Sequence, residues 1–172
     1  MKKIVTITII ALLIMTNVFG QGNKSIFFEL GANGGGVSAN FDSRFTKSEK
    51  GFGYRIGVGI IPGINAKDLN TGQSGIKTPT IFTIPIGINH LAGKAPHYFE
   101  SGIGVDYLNV SGEWGILNSN VNVKGSTFLF VPSVGYRYAK TGKAFQARVV
   151  LSPLIGSGGT LFFGGVSLGF KF

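Results

Sequence analysis

The 172-residue sequence contains no cysteine. That excludes disulfides, thiolate metal sites, a cysteine nucleophile and the lipidated cysteine of a lipoprotein anchor. Charge is scarce as well: Asp, Glu, Lys and Arg make up 13% of the chain, whereas a soluble domain averages about 25%. A mean hydropathy of +0.30 asks for an apolar element, yet beyond the N-terminal stretch no segment shows a helical period or a long apolar run. Only two histidines, His90 and His97, are available as bases or ligands. No group of His, Asp and Glu has metal-site spacing. The run Gly34-Gly35-Gly36 lacks the strand-to-helix context of a phosphate-binding loop and reads as a turn. No cofactor is implied.

What the chain has in excess is glycine, with 28 residues, phenylalanine, with 15, and positive charge, formally +9. The basic residues are scattered over turns and strands, so the balance does not point to nucleic acid. Lys2 and Lys3 precede an apolar run over 4–19, followed by Gly20 and Gln21. This order reads as a secretory signal peptide over 1–20, leaving 21–172 as a single domain. An N-terminal membrane anchor is the competing reading, but the run is short and interrupted by Thr6, Thr8, Thr16 and Asn17.

From there the apolar residues recur every second position, the period of a strand with unlike faces. The closing stretch TLFFGGVSLGFKF shows it: Phe162, Val166, Leu168, Phe170 and Phe172 share one parity, and mostly small or polar residues share the other. That strand alone also fits a half-buried strand of a soluble β-protein. The same rhythm predicts strands over 26–33, 37–45, 52–61, 80–91, 97–110, 126–138, 145–155 and 160–172. Short turns fall at 47–51, 93–96 and 140–143, and long polar loops at 62–77 and 111–125. Splitting the first segment at Gly34 gives an even count of eight, as single-chain outer-membrane barrels require. Pro85, Pro132 and Pro153 interrupt strands and predict bulges.

Two sets of side chains decide between a soluble and a membrane barrel. Phe28, Phe45, Tyr54, His90, Phe99, Tyr138, Phe145 and Phe172 share the apolar parity near the short-turn ends, with Phe82, Tyr107, Phe128 and Phe162 near the other. Two aromatic belts are what the interfaces of a bilayer favour. The opposite parity carries Glu29, Asp42, Arg44, Arg55, Glu100, Asp106, Arg137, Arg148 and Lys171, an expected interior charge network with structural duty. A lumen of about eight strands is filled by side chains, and charges there need partners. The expected fold is an all-β, antiparallel, up-and-down transmembrane barrel.

Several segments carry a family resemblance: 28–35 (FELGANGG), 83–91 (TIPIGINHL), Gly93-Lys94 followed by His97-Tyr98-Phe99-Glu100, then Gly135-Tyr136-Arg137-Tyr138 and the closing strand. The chain resembles small outer-membrane β-barrel proteins of Bacteroidetes, similar in shape to OmpA/OmpX-type barrels. A terminal strand ending in Phe, with another Phe two residues earlier, resembles the signal read by the barrel-insertion machinery. The resemblance implies fold and an outer-membrane location, with membrane lipid and lipopolysaccharide as surroundings, but no shared activity. Lys47, Lys50, Lys94, Lys140 and Lys143 would meet anionic headgroups. The expected role is structural, adhesive or surface-binding through the two long loops, with Trp114 and Ile116 as contacts. The alternatives are a lipid A-modifying enzyme, an accessory barrel of a secretion machinery, and a soluble lipocalin-like carrier, which the charged interior argues against. His90 and His97, at the short-turn ends, do not suit catalysis at the outer rim.

Overall fold

The computed structural model describes residues 23–67, 74–116 and 119–172. The expected signal peptide lies outside the described residues. The strands are β1 (Lys24–Gly31), β2 (Val37–Arg44), β3 (Gly51–Ile61), β4 (Asn65–Lys67), β5 (Ser74–Lys77), β6 (Thr80–Lys94), β7 (His97–Ile116), β8 (Ser119–Ala139), β9 (Phe145–Gly156) and β10 (Gly159–Lys171). Eight of them, all but β4 and β5, pair with their chain neighbours and close into an antiparallel ring. The closing seam joins β1 to β10 with Ile26 opposite Phe170 and Leu30 opposite Val166. The Lys24 amide bonds to the Phe172 carbonyl at 3.3 Å, and the Phe172 amide to the Lys24 carbonyl at 2.9 Å. Closure leaves these eight strands no free edge through the body of the barrel, so the backbone is satisfied without solvent.

The period-two pattern sorts side chains as a barrel demands. Ile56, Ile86, Ile88, Ile103, Val105, Val134, Val149, Leu151, Val166 and Leu168 face outward and are exposed, while Asp42, Arg55, Glu100, Arg137, Arg148 and Ser167 are buried inside. An apolar outside around a charged inside inverts the arrangement of a soluble protein and is the one that hydrocarbon surroundings favour.

The structure corrects the sequence reading in three places. Residues 111–116 and 119–125 are the extended arms of β7 and β8, in register from His97 opposite Tyr138 to Ile116 opposite Ser119. Their Asn and Ser content mimics a loop because these arms show polar residues outward. In the other expected loop, β4 and β5 pair with each other, and β5 adds to the β7 arm with Ile76 opposite Ile116. The prolines make no bulge: the β3–β6, β8–β9 and β9–β10 registers are the same on either side of them. Each simply removes a donor, so the ladder lapses locally and resumes. In the β8–β9 seam, Phe130 faces Ile155 and Val134 faces Leu151, which sets Pro132 directly opposite Pro153.

Candidate functional site

Seven charged side chains inside the barrel form one connected chain. Arg44 Nη2 reaches Asp42 Oδ1 at 2.6 Å, and Asp42 Oδ2 meets Arg137 Nη2 at 3.1 Å. Arg137 Nε donates to Glu100 Oε2 at 2.8 Å, and Arg148 Nη2 to Glu100 Oε1 at 2.7 Å. Arg148 Nη1 continues to Glu29 Oε2 at 3.1 Å, and Arg55 Nη1 lies 3.8 Å from the same oxygen. The seven come from β1, β2, β3, β7, β8 and β9, each from the lumen parity of its strand. Asn89 of β6 ties the chain together: it donates to Asp42 and Glu100 and accepts from Arg44. Arg148 also lies over the ring of Phe27, 4.5 Å from its centroid, a stacked cation at the lattice edge.

Such a lattice suits a water-poor lumen. A buried guanidinium without a carboxylate would cost several kcal/mol, and bidentate arginine geometry lets one carboxylate serve two cations. Glu100 does this for Arg137 and Arg148. The lattice loosens at one end. Arg55 Nε and Nη1 and Glu29 Oε1 are buried without a hydrogen bond.

The nine residues singled out from sequence all lie inside, but two stand apart from the lattice. Asp106 is buried and has no ion pair among the described residues. Its strand neighbour is Pro85, which brings no donor. Lys171 instead closes the short-turn end: its Nζ donates to Glu49 Oε1 at 2.8 Å and to the Lys140 carbonyl at 2.9 Å. Glu49 also accepts from Tyr98 Oη at 3.1 Å and Thr141 Oγ1 at 3.3 Å. The β2–β3 turn thus folds under the barrel, leaving a cavity of about 10 Å³ beneath the lattice, room for about one water. Sequence reading missed Glu49. The signal was there, a lone acid between Lys47 and Lys50 in a basic turn.

The opposite end is closed by another turn. Ala32, Asn33 and Gly34 form one 3-10 turn tucked into the lumen and buried. Ser152 Oγ donates to Asn33 Oδ1, and Thr83 Oγ1 to the Gly34 carbonyl at 3.3 Å. Ala32 at φ 47 and Gly35 at φ 68 turn the chain inward, a left-handed path that glycine takes without strain. Gly165 of β10 gives Ala32 its room, since a Cβ there would strike the Ala32 methyl.

Of the proposed belt, Phe28, Phe45, Tyr54, Phe99 and Phe145 are exposed outward, and His90, Tyr138 and Phe172 are half-buried. Phe28 departs from the expected level: it sits mid-strand, opposite Ala39 and Leu168, because β1 starts at Lys24. Phe45 stacks on Tyr54 with centroids 6.0 Å apart. His90 lies 4.6 Å from the Phe52 ring, and His97 Nδ1 pairs with Tyr136 Oη at 2.6 Å. Neither histidine faces the lattice. The side chains of Trp114 and Ile116 lie outside the described ones.

No family model matches the chain, and no curated protein matches it. Solved structures do. The N-terminal β-barrel domain of Pseudomonas aeruginosa OprF aligns over 88% of this chain and 98% of its own, at 13% identity and a TM-score of 0.56. Ail, the attachment invasion locus protein of Yersinia pestis, aligns over 87% of this chain and 93% of its own, at 7% identity and a TM-score of 0.53. The fold is an eight-stranded outer-membrane-type barrel. At these identities the likeness carries the barrel's architecture and neither lineage nor activity. What sets this barrel's own character is the lattice inside it and the arms above it.

Proposed function

We propose that this barrel is an integral outer-membrane protein that binds at the cell surface through the arms of β7 and β8 and the β4–β5 hairpin. The observation that carries this is an apolar sheet face left bare at the long-loop end. Ile76, Val121 and Val123 are 52%, 61% and 36% exposed there. Above Phe130 the far edge of β8 has no neighbour among the described strands, which leaves main-chain donors and acceptors free. A bare apolar face of this kind marks an interaction surface. The long-loop end faces the medium in this reading, and the short-turn end, with exposed Lys47, Lys50, Lys94, Lys140 and Lys143, faces the periplasm. The lattice and the two closing turns give the arms a rigid base.

Three measurements test the reading. The protein should fractionate with outer membrane and migrate differently in heated and unheated gel samples; recovery in the soluble periplasm overturns it. On intact cells Asn122→Cys should react with an impermeant maleimide and Thr141→Cys should not. Cells expressing the protein should adhere to an apolar polystyrene surface, and the pair Val121→Asp and Val123→Asp should abolish that adhesion with the heat shift intact; adhesion unchanged by the pair overturns the role of the arms.

A further inference from the structure

The polarity of the lumen changes along the barrel axis. Above the lattice and the buried turn, the inward positions include Ile61, Leu108, Val110, Leu129, Leu154 and Phe163, with Asp106 cross-strand from Leu129 and Thr127 from Leu108 as the polar groups at this level. Each keeps the lumen parity of its strand, because the registers are unbroken. Ile61 lies against Gly35 of the buried turn, and Leu129 against Gly156 of β9, so both side chains point inward. All but Leu154 are only part-buried, so their apolar surface stays accessible above the turn.

One side of this space has a weakened wall. Pro132 and Pro153 face each other across the β8–β9 seam, and neither has an N–H. Both hydrogen bonds of that position are missing, and no ladder joins the strands between Phe130–Ile155 and Val134–Leu151. Val131 and Leu154 lie behind the gap, on the lumen side, and both are buried. Phe162, 81% exposed, stands opposite Pro153 on the outer surface, and Leu161, of the lumen parity and opposite Leu154, is 60% exposed. Apolar side chains therefore line the barrel's exterior and the upper lumen on either side of the seam, and between them stand the Pro132 and Pro153 carbonyls, which have lost their donors across it. The β3–β6 seam also lapses, opposite Pro85, but with one proline, and it opens onto Gly57 and Asp106 rather than apolar groups.

We infer that the upper lumen is a binding site for one acyl chain of a lipid in the surrounding outer leaflet, which enters sideways between β8 and β9 at Pro132 and Pro153. The inference rests on the membrane placement proposed above. A hydrocarbon tail needs no hydrogen bond from the gap, whereas an anionic headgroup would meet two carbonyl acceptors and no donor. The buried turn at Ala32–Gly34 forms the floor and keeps the chain from the charged lattice.

The test uses tryptophan reporters in full-length protein carrying Trp114→Phe, which removes the only native tryptophan. Each variant is refolded into vesicles of phosphatidylcholine brominated on its acyl chains and qualified by its heat shift. Leu151→Trp faces outward and reports embedding; Val150→Trp faces the lumen below the seam and reports quenching through the wall. Leu154→Trp should be quenched as strongly as Leu151→Trp, and Val150→Trp should stay bright. Adding Pro132→Ala and Pro153→Ala supplies two donors and should restore most of the lost Leu154→Trp emission. Leu129→Trp serves in place of Leu154→Trp if that variant does not fold. A bright Leu154→Trp beside a quenched Leu151→Trp overturns the site and leaves the membrane reading standing. Quenching that survives the double alanine change overturns the entry route. A bright Leu151→Trp overturns the membrane placement itself.

Discussion

The lower and upper parts of the β7–β8 hairpin are built to opposite rules. Below Tyr107, Ile103, Val105, Phe130 and Val134 point outward and Glu100, Asp106, Ser133 and Arg137 point inward. Above it the order reverses: Asn109, Ser111, Asn122, Lys124 and Ser126 take the outward parity, and Leu108, Val110, Val121 and Val123 the inward one. The strands and register do not change. In the membrane placement proposed above, what changes is the solvent. Hydrocarbon outside selects apolar outward side chains and forces charges to pair inside; water outside selects the usual arrangement. Tyr107 and Phe128, with centroids 5.2 Å apart, mark the crossing, where aromatic rings suit an interface.

Breaking the lower rule should cost most. Glu100→Ala leaves Arg137 and Arg148 without their shared carboxylate, and equilibrium unfolding in lipid vesicles should show a loss of about 3–5 kcal/mol. Next comes Val105→Arg, which puts an unpaired cation on the outward face; the same measurement should show a loss of roughly 2–4 kcal/mol near the bilayer midplane. Asp106→Asn sharpens the contrast. A carboxylate without an ion pair is expensive to bury and its amide less so, so stability should move by less than about 1 kcal/mol. If Asp106→Asn proves worse than Val105→Arg, the inward and outward faces are exchanged.

The smallest effect belongs to the upper zone. Lys77 Nζ and Glu113 Oε2 form an ion pair at 2.9 Å, with the glutamate side chain 48% exposed. Glu113→Gln should cost less than about 1 kcal/mol, and high salt should erase the difference. Removing one partner thus costs several-fold more inside the barrel than on its arms, because the charge left behind is buried in one case and hydrated in the other.

Much of this was legible in the residues. The parity of Phe162, Val166, Leu168 and Phe170 sets the outward face of β10, and similar runs set the others. The inward placement of Arg55, Arg137 and Arg148 follows from the same count, since lipid does not tolerate them. The arms were illegible for a physical reason: Asn, Ser and Gly over 111–125 look like a loop unless the change of solvent at Tyr107 is known. Phe28 was put at the wrong level because the start of β1 depends on the bonds between Lys24 and Phe172.

The sequence by itself determined the two-residue period and the separation of charge from apolar surface, because each is a local consequence of strand geometry; the even strand count leaned on the rule for closed barrels. Only the tertiary structure decided which charges meet. Arg148 and Glu29 are 119 positions apart and Arg137 and Asp42 are 95 apart; ring closure and register bring them within bonding distance. The same holds for Pro132 opposite Pro153. Two prolines in separate strands say nothing of each other until the register places both missing donors in one seam.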